Sequence, residues 1–206
     1  AVMIIIDGKS KNADSAMRLS GITFQAYKPA DINEEQTIMS NGVRIIAVKD
    51  FRVDNCAFFD FTQFVLFPMN EAGYISRGVV DHCEFDNPRK DELGEQAKGS
   101  YCSGMFGDNS WQSIDYFLGK YDGLNNIVYF EDNHFKRCRH ALDQKKGAWI
   151  TARHNIFEEP RPYSLATTHT GNGFTSGRGF EMYDNTCDGW NSLKGGVMGE
   201  GCVLFR

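Results

Sequence analysis

Between residues 136 and 154 the sequence gathers cationic and imidazole side chains: Lys136-Arg137-Cys138-Arg139-His140, then Lys145-Lys146, then Arg153-His154. The chain as a whole is mildly acidic, with 27 acidic against 22 basic residues and a formal net charge of −5. A local excess of cation in such a chain reads as an anion-binding face. A guanidinium meets a carboxylate or sulfate through two parallel hydrogen bonds, so Arg139 and Arg153 suit recognition of a uronate or sulfate group, with Lys136 and Lys145 as further point charges. His140 or His154 could take a proton near neutral pH. The long, turn-rich stretch 158–179 adds Tyr163, His169 and Arg178, which could line a groove beside these residues, because long loops on a repetitive framework often build the binding wall. The competing reading is a solvated basic turn, since Lys and Arg favour exposed loops in any case.

What must position these groups is a repeat. A six-residue pattern recurs as Leu19–Phe24, Val53–Phe58, Val80–Phe85, Phe130–Phe135, Ala152–Phe157 and Met182–Cys187: an apolar residue, two variable ones, an Asn or Cys, another variable one, then Phe. The final positions are separated by 34, 27, 50, 22 and 30 residues, mostly the length of one turn of a solenoid. The 50-residue interval is read as one turn with large loops, with Tyr101–Phe106 as an additional strand inside it. Short runs such as Val43–Val48 and Asn126–Phe130, β-branched or aromatic and bounded by Gly, Asn or Asp, predict strands. Helical periodicity is nowhere sustained. The expectation is an all-β chain, 1–206 as a single domain: a single-stranded β-solenoid of about seven rungs. Both ends read as strands, which predicts open β-edges, a piece of a longer chain, and self-assembly through those ends.

Stacked turns place equivalent positions in columns about 4.8 Å apart. The fourth position runs Ile22, Cys56, Cys83, Asn133, Asn155, Asn185 and predicts an asparagine ladder, with buried thiols as compact apolar substitutes. The sixth predicts stacked aromatic rings. The second runs Ser20, Asp54, Asp81, Glu131, Arg153, Tyr183. If it faces solvent, Asp54, Asp81 and Glu131 form a group of hard oxygens able to hold Ca²⁺; the alternative is charge pairing between turns.

Composition narrows the field. There is no apolar run long enough to span a membrane as a helix, and no basic block of the kind a nucleic-acid backbone attracts. The six cysteines contain no C-x-x-C pair, which excludes a zinc ribbon and a thioredoxin-type motif. The Gly-rich stretches 171–179 and 195–201 lack the Lys-Ser/Thr of a phosphate loop.

The Asn-x-Phe corners, the Ile4-Ile5-Ile6-Asp7-Gly8 opening and the spacing resemble right-handed parallel β-helix proteins of the pectate-lyase-like superfamily. That resemblance spans nearly the whole chain and implies an extracellular or cell-surface protein that binds an acidic polysaccharide, with cleavage of uronate-containing glycans by β-elimination as the implied activity and Ca²⁺ as the implied cofactor. Arg153-His154 is similar to the Leu-Arg-His-Gly segment of alginate and dermatan lyases of the chondroitinase-B type. The similarity implies Arg153 as base or carboxylate neutraliser, with His154, His140 and Arg139 assisting. In those lyases a Lys one turn earlier completes the pair, whereas this chain has Asn125-Asn126 or Glu131-Asp132 around the matching place. The paired-Asp motifs of the superfamily's hydrolases are missing. The alternative reading is a non-catalytic structural, adhesive or fibre-forming segment.

Overall fold

Alternation of buried and exposed residues along short runs gives strands with one apolar face. Asp50–Asp54, for example, buries Phe51 and Val53 while Asp50 and Arg52 stay exposed. The computed structural model describes residues 2–8, 16–26, 41–46, 48–61, 66–69, 77–86, 100–103, 127–138, 141–145, 149–158, 166–168, 179–188, 197–198 and 202–205. Among these the structure is all strand, with no helix and every strand pairing parallel.

Three sheets result. The first contains β1 (Val2–Asp7), β4 (Asn41–Ile46), β7 (Leu66–Met69), β10 (Ser100–Ser103), β13 (Leu142–Lys145), β16 (Ala166–Thr168) and β19 (Val197–Met198). The second contains β2 (Ala16–Ser20), β5 (Asp50–Asp54), β8 (Gly78–Asp81), β11 (Ile127–Glu131), β14 (Trp149–Arg153), β17 (Gly179–Tyr183) and β20 (Cys202–Phe205). The third contains β3 (Thr23–Gln25), β6 (Ala57–Phe59), β9 (Glu84–Asp86), β12 (His134–Lys136), β15 (Ile156–Glu158) and β18 (Thr186–Asp188). Each strand pairs with the strand three later in the chain, so first, second and third sheet are visited in a fixed cycle. The long interval between β9 and β11 holds one described strand, β10. It pairs with β7 and β13 in the first sheet, so this interval adds a single cycle.

The six-residue pattern is the join between second and third sheets. Its third position is Gly21, Asn55, His82, Asp132, His154 and Asp184, and every one has a positive φ, between 51° and 69°. This left-handed corner favours Gly, Asn, Asp and His, which is why the column contains only those residues. Its fourth position turns inward at Cys56, Cys83, Asn133 and Asn155, while Ile22 is exposed. Asn133 Nδ2 donates to Val80 O at 2.8 Å, Asn155 Nδ2 to Phe130 O at 2.8 Å and Asn185 Nδ2 to Ala152 O at 2.9 Å. In return Asn133 Oδ1 accepts from Cys83 N, Asn155 Oδ1 from Asn133 N, and Asn185 Oδ1 from Asn155 N.

The thiols are more than apolar substitutes. Cys83 Sγ lies 3.5 Å from Val53 O and Cys56 Sγ 3.7 Å from Leu19 O, the carbonyls that an asparagine would reach at the same places, and each shares its one proton with a nearer carbonyl of its own cycle, Asp81 O at 3.3 Å and Asp54 O at 3.4 Å. Beneath the ladder Phe24, Phe58, Phe85, Phe135 and Phe157 stack with centroid spacings of 5.0, 5.0, 4.6 and 5.2 Å. Each such pair adds about 0.5–1.5 kcal/mol beyond the area it buries. Cys187, in register with Phe157, ends the stack. Gly78 lies against Phe51, where a Cβ would approach Phe51 O to 2.2 Å, so no larger residue fits without moving backbone.

Candidate functional site

The outer face of the second sheet carries the second-position column, and the strand register joins its members in the order expected: Ser20 to Asp54, Asp54 to Asp81, Asp81 to Glu131, Glu131 to Arg153, Arg153 to Tyr183. Its two halves differ.

In the first half the carboxylates are engaged by arginines two residues back on the preceding cycle. Arg18 Nε and Nη2 each meet an oxygen of Asp54 at 2.8 Å, and Ser20 Oγ and Asn55 Nδ2 add bonds of 2.9 and 2.8 Å to Oδ2. Arg52 grips Asp81 through the same two nitrogens at 3.0 and 2.7 Å, and His82 Nδ1 lies 3.0 Å from Asp81 Oδ2. Both carboxylates are buried. The Arg18 fork, against the cost of burial, and the Asn55 and Ser20 donors hold Asp54 far below the ordinary carboxylate range. Burial pushes Asp81 up, but Arg52 and His82 outweigh it and leave it lowered. These oxygens face guanidinium groups instead of open space, and among the described residues no three His, Cys, Asp or Glu side chains converge as a metal site. The set Asp54, Asp81 and Glu131 therefore does not fit a calcium ion in this arrangement.

In the second half the charge order reverses. Arg153 sits in the column itself. Its Nη2 reaches Glu131 Oε1 at 2.5 Å on one side, and its Nη1 donates to Tyr183 OH at 3.0 Å on the other. The Tyr129 ring lies 5.9 Å from the guanidinium carbon. The Tyr183 hydroxyl and, against burial, the Glu131 carboxylate raise Arg153 further above its already high range, so it stays a cation. The next residue, His154, occupies the exposed left-handed corner, its ring edge-on to Tyr183 with centroids 6.5 Å apart. A permanent cation, a phenol and an exposed imidazole thus share one patch beside a carboxylate. Such a patch can neutralise a bound anion and move a proton next to it.

Arg153 and His154 are the expected site residues that come together here, with Glu131 as Arg153's partner. Tyr183 was present in the column reading but carried no assigned role. Its signal was the in-register position one cycle beyond Arg153. Lys136 belongs elsewhere: on β12 in the third sheet it donates to Glu158 Oε1 at 2.9 Å, while His134 Nε2 lies 2.7 Å from Oε2. The hydrogen bonds from Lys136 first, and then His134, lower Glu158. Arg137 is paired with Asp86. Lys145 ends β13 in the first sheet. The cationic run is therefore spread over three sheets instead of forming one face, because neighbours in sequence are carried around the cycle while neighbours in space come from successive cycles. Arg139, His140, Tyr163, His169 and Arg178 lie outside the described residues. No described helix is long and apolar enough to cross a membrane. Comparison with protein-family models, curated proteins and solved structures returned no match.

Proposed function

We propose that the chain is a right-handed parallel β-helix of about seven turns. It works outside the cell or at its surface. It binds an acidic polysaccharide on the outer face of the second sheet and cleaves it by β-elimination. The period-three strand order with in-register columns supports the architecture. The observation that carries the function is Arg153, fixed between Glu131 and Tyr183 and next to the exposed His154. In this reading the Arg153 guanidinium pairs with a uronate carboxylate and so acidifies the carbon beside it. His154 takes the proton from that carbon, the electron pair forms a carbon–carbon double bond, and the glycosidic C–O bond on the adjacent carbon breaks. No step is routed through Ca²⁺, because the carboxylate oxygens that would bind it are held by arginines.

The test is ultraviolet absorbance on mixing the protein with uronate polysaccharides, with and without a chelator. The expected result is the signal of an unsaturated uronate, insensitive to chelator and abolished by Arg153→Ala in a variant that still folds. Full activity in Arg153→Ala would overturn the assignment. A second reading, a non-catalytic rod, draws on the first half of the column, where Arg18 and Arg52 brace Asp54 and Asp81 across cycles. Polysaccharide affinity without any product would select it.

A further inference from the structure

β-Elimination needs a second proton movement: the departing glycosidic oxygen must be protonated as its bond to carbon breaks. His154 is occupied with the carbon-bound proton in the reading above, and Arg153 stays protonated. Tyr183 remains. Its hydroxyl accepts a 3.0 Å hydrogen bond from Arg153 Nη1, one cycle beyond Arg153 in the same column, and its ring borders His154. The residue is half-buried, at the end of β17 where the strand meets the left-handed corner. Because the phenol oxygen already accepts a hydrogen bond from Arg153, its own O–H is left to donate to a bound group.

Resting on the elimination reading, we propose that Tyr183 is the general acid of the site and protonates the leaving oxygen. The atoms balance without a co-reactant. His154 gains the proton from carbon, the carbon–carbon double bond forms as the carbon–oxygen bond breaks, and the Tyr183 O–H bond supplies the proton of the new hydroxyl. Arg153 holds the phenolate until the proton on His154 returns to it through solvent. Glu131 is the positioning residue: it pins the other arm of Arg153 at 2.5 Å and so fixes the arm that meets Tyr183.

The experiment compares wild type with Tyr183→Phe on two substrates. One is a uronate polysaccharide. The other is a uronate carrying an aryl ether at the position of the scissile bond, whose aryloxide departs without protonation. Tyr183→Phe keeps the ring and removes only the hydroxyl, so polysaccharide affinity is expected to hold. Turnover of the polysaccharide is expected to fall by about a hundredfold or more, the usual size of a general-acid contribution. The aryl ether is expected to be cleaved at near wild-type rate. An unchanged rate on polysaccharide, or an equal loss on both substrates, overturns the role of Tyr183 while the elimination reading stands. Absence of product from wild type on both substrates overturns the elimination reading beneath it.

Discussion

Asn155→Ala tests the ladder that holds the site's corner. Asn155 is completely buried. Its Nδ2 donates to Phe130 O at 2.8 Å, and its Oδ1 accepts from Asn133 N at 3.0 Å. Truncation removes both partners in the interior. Arg153 O, which also takes a bond from Asn155 Nδ2, keeps its bond from Asp132 N, and Asn133 Nδ2 keeps Val80 O. Asn133 N left unpaired at about 1–3 kcal/mol, and one of the bonds to Phe130 O lost from a paired strand at about 0.5–1.5 kcal/mol, give a loss of about 1.5–4.5 kcal/mol. Asn155→Cys separates the terms. A thiol at this corner has the preceding cycle's carbonyl within reach, as Cys83 Sγ has Val53 O at 3.5 Å beside Asp81 O at 3.3 Å. Only the acceptor role is then lost, at about 1–3 kcal/mol. Urea unfolding followed by far-ultraviolet circular dichroism should rank wild type above Asn155→Cys above Asn155→Ala, with slopes unchanged. Asn155→Ala within about 0.5 kcal/mol of wild type, the ordinary scatter of surface substitutions, would refute the ladder as a source of stability. Asn155→Cys no better than Asn155→Ala would refute the thiol as donor.

Two further outcomes follow from the same columns. Asp54 is held below its ordinary range by Arg18, so its contribution is fully present above about pH 4 and is lost as pH falls through the lowered folded value. Asp54→Asn should therefore lose stability at neutral pH and show a flatter acid limb in unfolding midpoint against pH, whereas parallel limbs would contradict the pairing. Burial pushes the Cys83 thiol up to about 12 and raises Cys56 and Cys187 as well, but of the three Cys187 alone is exposed. Alkylation of the native protein in mildly alkaline buffer, mapped by peptide mass, should label Cys187 before Cys56 or Cys83; equal rates would mean that the corner opens in solution.

The columns were legible because stacking is a one-dimensional rule: fixing the pattern once fixes the neighbours of every position in it. Asn133, Asn155, Asn185 and the five phenylalanines fall where spacing alone puts them. What the pattern could not convey was direction and occupancy. For Asp54 and Asp81 the pattern left calcium binding and charge pairing between turns both open, because their arginines, Arg18 and Arg52, sit one residue outside the repeat, on the middle of the strand. The run from Lys136 to His154 looked like one face because proximity in sequence was taken for proximity in space, which a chain that changes sheet every few residues does not allow. Cys56 and Cys83 looked merely apolar because a thiol's weak donor role is invisible until the carbonyl it faces is known.

The contrast between the two halves of the column also decides where an anion can bind. At Arg18 and Arg52 an incoming carboxylate would have to displace a buried aspartate gripped by two nitrogens, leaving Asp54 with only Ser20 and Asn55, and Asp81 with only His82. At Arg153 it joins a single contact to the partly exposed Glu131 and one to the neutral hydroxyl of Tyr183, which take only two of the five donors of the guanidinium. Exposure alone points the other way, since the Arg18 and Arg52 side chains are 63% and 52% accessible against 37% for Arg153. Competition for the guanidinium, not its accessibility, should govern. Arg52→Ala is therefore expected to lower the unfolding midpoint and leave polysaccharide affinity within about twofold. Arg153→Ala is expected to weaken affinity about tenfold or more, the value of one charge-assisted pair, with a smaller change in stability. Affinity lost equally in both variants would show that the ligand reads net charge along the face, and the site would then have no centre at Arg153.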